Sequence, residues 1–106
     1  MSTISTHVLD TALGCPAAGI RVTLLNAQGA AIGSTVTDGD GRARDFSGTL
    51  LAGSYRLRFD ITAYFRDSAR EWFFDEVVVS FHVDGTGHYH VPLLLSPFGY
   101  TTYRGS

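Results

Sequence analysis

Lysine is missing from the sequence altogether, and all eight basic side chains are arginines. Schiff-base chemistry and a phosphate-loop lysine are therefore excluded. Cysteine is nearly absent too. Cys15 stands alone in Gly14-Cys15-Pro16 with no general base beside it, so it cannot close an internal disulfide and reads as a bystander rather than a nucleophile. No apolar run is long enough to span a bilayer, and Met1-Ser-Thr-Ile-Ser-Thr-His7 has neither the basic start nor the apolar stretch of a signal peptide. A soluble, cytoplasmic protein is the expectation, with no membrane partner. The last tripeptide, Arg104-Gly105-Ser106, does not match the peroxisomal address. Charge is sparse as well: ten acidic residues against eight scattered arginines leave a net charge of −2, which makes nucleic acid a poor partner.

What the chain has in quantity is strand pattern. Tyr55, Leu57, Phe59 and Ile61 alternate with Arg56, Arg58 and Asp60, which is the period of a half-buried strand. Val77, Val79, Phe81 and Val83 repeat it, and Ile20-Arg-Val-Thr-Leu24 does so more briefly. Turn signals at Asn26–Gly29, Asp38–Gly41, Ala52-Gly53 and Asp84–Gly87 separate the runs, and only Thr62–Ala69 reads as a short helix. Seven or eight short antiparallel strands predict an all-β, two-sheet sandwich. With 106 residues and 44% hydrophobic content, one domain over residues 1–106 is expected. A core of that size is modest, so burial between subunits would help it.

Several site readings fail on chemistry. Asp38-Gly-Asp40-Gly41 opens like a calcium loop, but Arg42 and Thr49 fall where oxygen ligands are required. The plain reading is a glycine-rich turn that delivers Arg42 to the next strand. His88 and His90 face the same way on a strand and His7 could join them, which is a set that zinc accepts. Apart from Asp84, however, no carboxylate lies near the pair, and no metal is expected. A Ser-His-Asp hydrolase lacks its Gly-x-Ser-x-Gly elbow, and Ser96 precedes Pro97 as a strand terminator.

The chain end carries more information. Tyr103-Arg104-Gly105-Ser106 follows closely on the apolar run from His90 to Tyr100, with no polar tail between them, whereas terminal residues ordinarily fray. Together with Ser5-Thr-His7-Val-Leu-Asp10, Thr37-Asp-Gly-Asp-Gly-Arg42 and His88-Tyr-His90, this end resembles the 5-hydroxyisourate hydrolase family, the transthyretin-related enzymes of purine degradation. The terminal tetrapeptide is the most specific block, since it separates the enzymes from the transthyretin carriers. Glu71-Trp-Phe-Phe-Asp-Glu76 departs from the family pattern but touches no catalytic block.

The resemblance implies a transthyretin-like sandwich assembled as a homotetramer, with metal-free and cofactor-free active sites where two dimers meet. It also implies His7, Arg42, His90 and Ser106 as catalytic residues and Tyr103, Arg104 and Gly105 as substrate-binding ones, with the small molecule 5-hydroxyisourate as substrate. Elementary chemistry agrees with these roles. Imidazoles titrate near neutral pH and can move the protons of an attacking water and a leaving nitrogen. Guanidiniums stay charged and present planar donors to a developing oxyanion, and the carboxylate expected at Ser106 would accept from a His or a ring N–H. Two other readings compete: a transthyretin-like carrier of small aromatic ligands without catalysis, and an immunoglobulin-like interaction module. Two imidazoles facing guanidiniums serve no purpose in a passive apolar channel, and a secreted module would bring paired cysteines.

Overall fold

A computed structural model describes residues 1–106. In chain order the elements are β1 (Thr3–Asp10), β2 (Cys15–Pro16), β3 (Arg21–Leu25), β4 (Ala31–Val36), β5 (Arg42–Arg44), β6 (Gly53–Asp60), α1 (Thr62–Asp67), β7 (Glu76–Val83), β8 (His88–Ser96) and β9 (Gly99–Thr102). One sheet runs β2-β1-β8-β9, with β5 also pairing along β1; the other runs β4-β3-β6-β7. No helix is long and apolar enough to cross a membrane.

The expected antiparallel pattern holds everywhere except at the centre of the first sheet, where β1 and β8 are parallel. The second sheet and α1 lie between these strands in sequence, so no hairpin has to join them and either direction is open to the chain. Cys15 pairs with Asp10 in the short β2 and remains exposed.

The period-two runs bury as their alternation requires. Leu57 and Phe59 from β6, Val77 and Val83 from β7, and Ile4 and Val8 from β1 meet between the sheets in one cluster of 17 buried residues. Each large side chain fully buried there stabilises the fold by roughly 1.5–3 kcal/mol. Val91, Leu93 and Leu95 of β8 join the same core. Little apolar surface of this strand is left over, because only Leu94 is half-buried on the other face. Exposed apolar surface lies instead at Phe73, Phe98 and Tyr100, where Phe74 packs edge-on to both Phe73 and Tyr100 at 4.9 and 5.4 Å.

The helix is too short to stand alone, with six residues and no side-chain N-cap. It is held by buried Phe65 and by Asp10 at the end of β1. That carboxylate accepts from the Tyr64 hydroxyl at 2.6 Å, the Arg70 guanidinium at 2.6 Å and the Leu13 N–H at 3.0 Å. Burial alone would raise the Asp10 pKa, but the Arg70, Tyr64 and Leu13 hydrogen bonds together outweigh it and hold the carboxyl below its ordinary range. On the other side of the network, burial and then the Asp10 hydrogen bond push the Tyr64 hydroxyl up to about 12. Arg70 also lies over the Phe65 and Tyr64 rings, with its guanidinium carbon 5.0 and 5.6 Å from their centroids.

Candidate active site

Strand parity and register build the site together. In β1, buried Ile4, Thr6 and Val8 alternate with Thr3, Ser5 and His7, which face outward. The parallel register sets Thr3 opposite His88 and Ser5 opposite His90, so both imidazoles emerge on that same outer face. On the other side of β1 the antiparallel β5 sets Arg42 opposite His7 and Arg44 opposite Ser5. Three strands thus gather His7, His90 and Arg42 on one surface.

The turn before β5 is shaped to deliver Arg42. The Asp38 carboxylate accepts from the backbone N–H groups of Asp40 and Arg42 at 2.9 and 3.0 Å, and these contacts, Arg42 first, keep its pKa below the usual value. That carboxylate closes the turn. Gly41 has φ +75°, and a Cβ there would collide with the carbonyl oxygen of Val8, so only glycine fits. The same turn presents the Asp40 carbonyl to His7, whose Nε2 donates to it at 2.8 Å. Since a carbonyl can only accept, the proton of neutral His7 sits on Nε2 and the free lone pair on Nδ1.

His90 is held differently. Its Nδ1 lies 2.8 Å from the Ser5 hydroxyl, and no protein group bonds to Nε2. Burial, then the nearby Arg42, His7 and His88 charges, lower its pKa below the ordinary imidazole value, so it is unprotonated at neutral pH and has a ring lone pair to accept a proton. The chain end closes over it. The Gly105 N–H donates to the His90 carbonyl at 2.8 Å, and a Cβ on Gly105 would stand 2.6 Å from His90 Cδ2 and 3.3 Å from Pro92 Cγ. The glycine of the terminal tetrapeptide thus lets the backbone lie against the imidazole. Ser106 follows into a cavity of about 420 Å³ that Arg42, Arg44, His88 and His90 also line.

Tyr103 and Arg104 go elsewhere. They line a larger cavity of about 580 Å³ at the open edge between β7 and β8, where the Arg104 guanidinium lies 4.4 Å above the Tyr89 ring. Tyr89 has the opposite parity to His88 and His90, so within one chain β8 separates Arg104 from the imidazole face. Size favours the edge cavity as a site, but the titratable constellation favours the smaller one, and chemistry decides between them. No group of three or more His, Cys, Asp or Glu side chains is placed to hold a metal ion.

Gly105-Ser106, the Asp38–Arg42 turn and the His88/His90 strand converge on one face, and the sequence matches the HIUase/Transthyretin family from residue 4 to residue 105. The chain belongs to that family. A 5-hydroxyisourate hydrolase from Caulobacter vibrioides is 46% identical, with both chains covered in full. The solved structure of the Klebsiella pneumoniae 5-hydroxyisourate hydrolase superposes with a TM-score of 0.93 at 41% identity, again over 100% of each chain. A sea bream transthyretin in complex with thyroxine superposes at 0.89 with 32% identity, covering 97% of this chain and 94% of its own. The sandwich is accordingly transthyretin-like. Ser5 is the residue that reading the sequence left without a role, although it lies inside the Ser5–Asp10 block. Its even spacing from His7 was the available signal; its contact with His90 needs the parallel register.

Proposed function

We propose that the chain hydrolyses 5-hydroxyisourate to 2-oxo-4-hydroxy-4-carboxy-5-ureidoimidazoline in urate degradation, with residues 1–106 acting as one hydrolase domain. The observation that carries this reading is the shared face of His7, Arg42 and His90 beneath the chain end, in a family member 46% identical to a named hydrolase. Water attacks the amide carbonyl at C6, the C6–O bond forms, and the bond to N1 breaks. His90, neutral and with Nε2 free, takes the proton of the attacking water. His7, its Nε2–H tied to the Asp40 carbonyl, enters the step protonated at Nδ1 as well and gives that proton to N1 as the bond to C6 breaks. Arg42 stabilises the oxyanion, a role whose loss typically costs about 3 kcal/mol in the barrier.

On this reading Ser106 orients water or a ring N–H beside His90 and Gly105 keeps the wall narrow. Tyr103 and Arg104 bind substrate in an assembled homotetramer, for which the exposed Phe73, Phe98 and Tyr100 provide apolar contact surface. The exposed, unpaired Cys15 suits a reducing cytoplasm. The thyroxine complex of the sea bream relative supports a carrier as the second reading. Ultraviolet decay of freshly generated 5-hydroxyisourate decides between them. Acceleration by the wild-type protein, retained after chelation and lost in His90→Asn, supports the metal-free hydrolase. No acceleration, with small aromatic ligands bound instead, establishes the carrier.

A further inference from the structure

The Ser5 hydroxyl lies 2.8 Å from His90 Nδ1 and 2.8 Å from His88 Nε2, and the Thr3 hydroxyl lies 2.7 Å from His88 Nδ1. These groups alternate across the β1–β8 pair in an unbroken line from exposed His88 to half-buried His90. We infer that His88, Ser5 and Thr3 form a proton relay between His90 and bulk solvent.

The polarity of the line follows from its donors. Ser5 carries one hydroxyl proton and bridges two ring nitrogens, so while it donates to one it accepts from the other. If Ser5 donates to His90 Nδ1, His88 donates from Nε2 and its Nδ1 accepts from Thr3. If His90 donates from Nδ1, Ser5 donates to His88 Nε2 and His88 donates from Nδ1 to Thr3. Both arrangements satisfy every atom, and protons shifting along the line convert one into the other.

This inference rests on the hydrolase reading, and the reaction gives the relay its purpose. Hydrolysis of a cyclic amide consumes water, leaves one of its protons on N1 and yields a carboxylic acid that ionises at neutral pH. One proton therefore leaves the site in each turnover. When His90 gains a proton at Nε2, its Nδ1–H passes to Ser5, the Ser5 proton passes to His88 Nε2, and the His88 Nδ1–H leaves through Thr3 to solvent. The shift carries one proton from the site to solvent and leaves His90 and His88 in their opposite tautomers. Arg42 and Arg44 from β5, His7 from β1 and Asp45 beyond β5 are the other charged or titratable side chains about the pair. The arginines oppose any resting positive charge on His90 and favour its passage outward.

His88→Gln tests the relay, because an exposed amide can still meet Ser5 but cannot carry a proton through. In dilute buffer its kcat should fall by about a hundredfold, the low end for a positioned proton-transfer group, with KM unchanged. Added imidazole should restore it in proportion to concentration, while wild-type turnover stays insensitive to buffer. Turnover equal to wild type in dilute buffer would overturn the relay, and so would a loss that imidazole does not restore. If the wild type itself fails to hydrolyse 5-hydroxyisourate, the hydrolase reading falls instead. The link can still be judged without substrate by ¹⁵N spectra: the His90 Nδ1 resonance should follow the titration of His88 in the wild type far more strongly than in Ser5→Ala. An equal response in both would overturn it.

Discussion

Gly105→Ala separates the chemistry of the chain end from the stability of the sandwich. The backbone at Gly105 is not in the left-handed region, so alanine there carries no conformational strain, and the whole effect comes from contact. The new methyl would stand 2.6 Å from His90 Cδ2, where carbon atoms prefer about 3.5–4.0 Å, so a displacement of about 1 Å is required. The imidazole is tied to Ser5 and Pro92 closes the other side, so the yielding element is the chain end. Its hydrogen bond to the His90 carbonyl then lengthens, which costs about 1 kcal/mol at most. That corresponds to a fall in melting temperature of roughly 4–8 °C or less. Turnover is far more sensitive, because a misplacement of about 1 Å costs about a hundredfold. The assay is 5-hydroxyisourate decay at saturating substrate beside thermal melting by circular dichroism. Wild-type turnover in a folded variant would refute the claim that Gly105 shapes the wall of the site; a variant that fails to fold would place the residue in the scaffold.

Arg42→Lys keeps the charge but loses the planar fork, so kcat should drop about a hundredfold with an unchanged melt, and unaltered turnover would make Arg42 a turn residue. Asp10→Asn removes the charge that pairs with Arg70, and because Arg70 keeps one-fifth of its side-chain surface exposed the cost should be about 2 kcal/mol, below the ~3–5 kcal/mol of a fully buried pair. The wild-type contribution is present above the ordinary carboxylate pKa of 3.8 and is lost as pH falls through the lower folded value, so denaturation midpoints of wild type and variant should converge only in strong acid. The pH profile of kcat/KM should show an acid limb below 6.5, set by protonation of His90, and a limb at or above that value would assign the base elsewhere. A polar extension appended after Ser106 must cross the His90 cavity, whereas one on Met1 does not, so only the former should abolish turnover; equal activity would mean that the chain end lies outside the site.

The sequence by itself determined the strand layout, because a period of two can be read locally: Leu57 and Phe59 had to share a face, and so did Val77 and Val83. It also determined the place of Arg42, since the Asp38–Gly41 turn is closed by its own backbone and carboxylate. The terminal tetrapeptide pointed to the family for the same reason, being a contiguous signal. What alternation could not convey was which strands become neighbours. Ser5 and His90 are 85 residues apart, and only the parallel pairing of β1 with β8 sets them opposite one another. The same pairing, not composition, gave His90 its hydroxyl partner and its access to His88. Parity of strand residues also parted two residues that sequence had grouped, since Arg104 turned to Tyr89 on one side of β8 while Ser106 reached the imidazoles on the other. A strand has two faces, and which one a neighbour occupies depends on long-range register, a property of the folded chain alone.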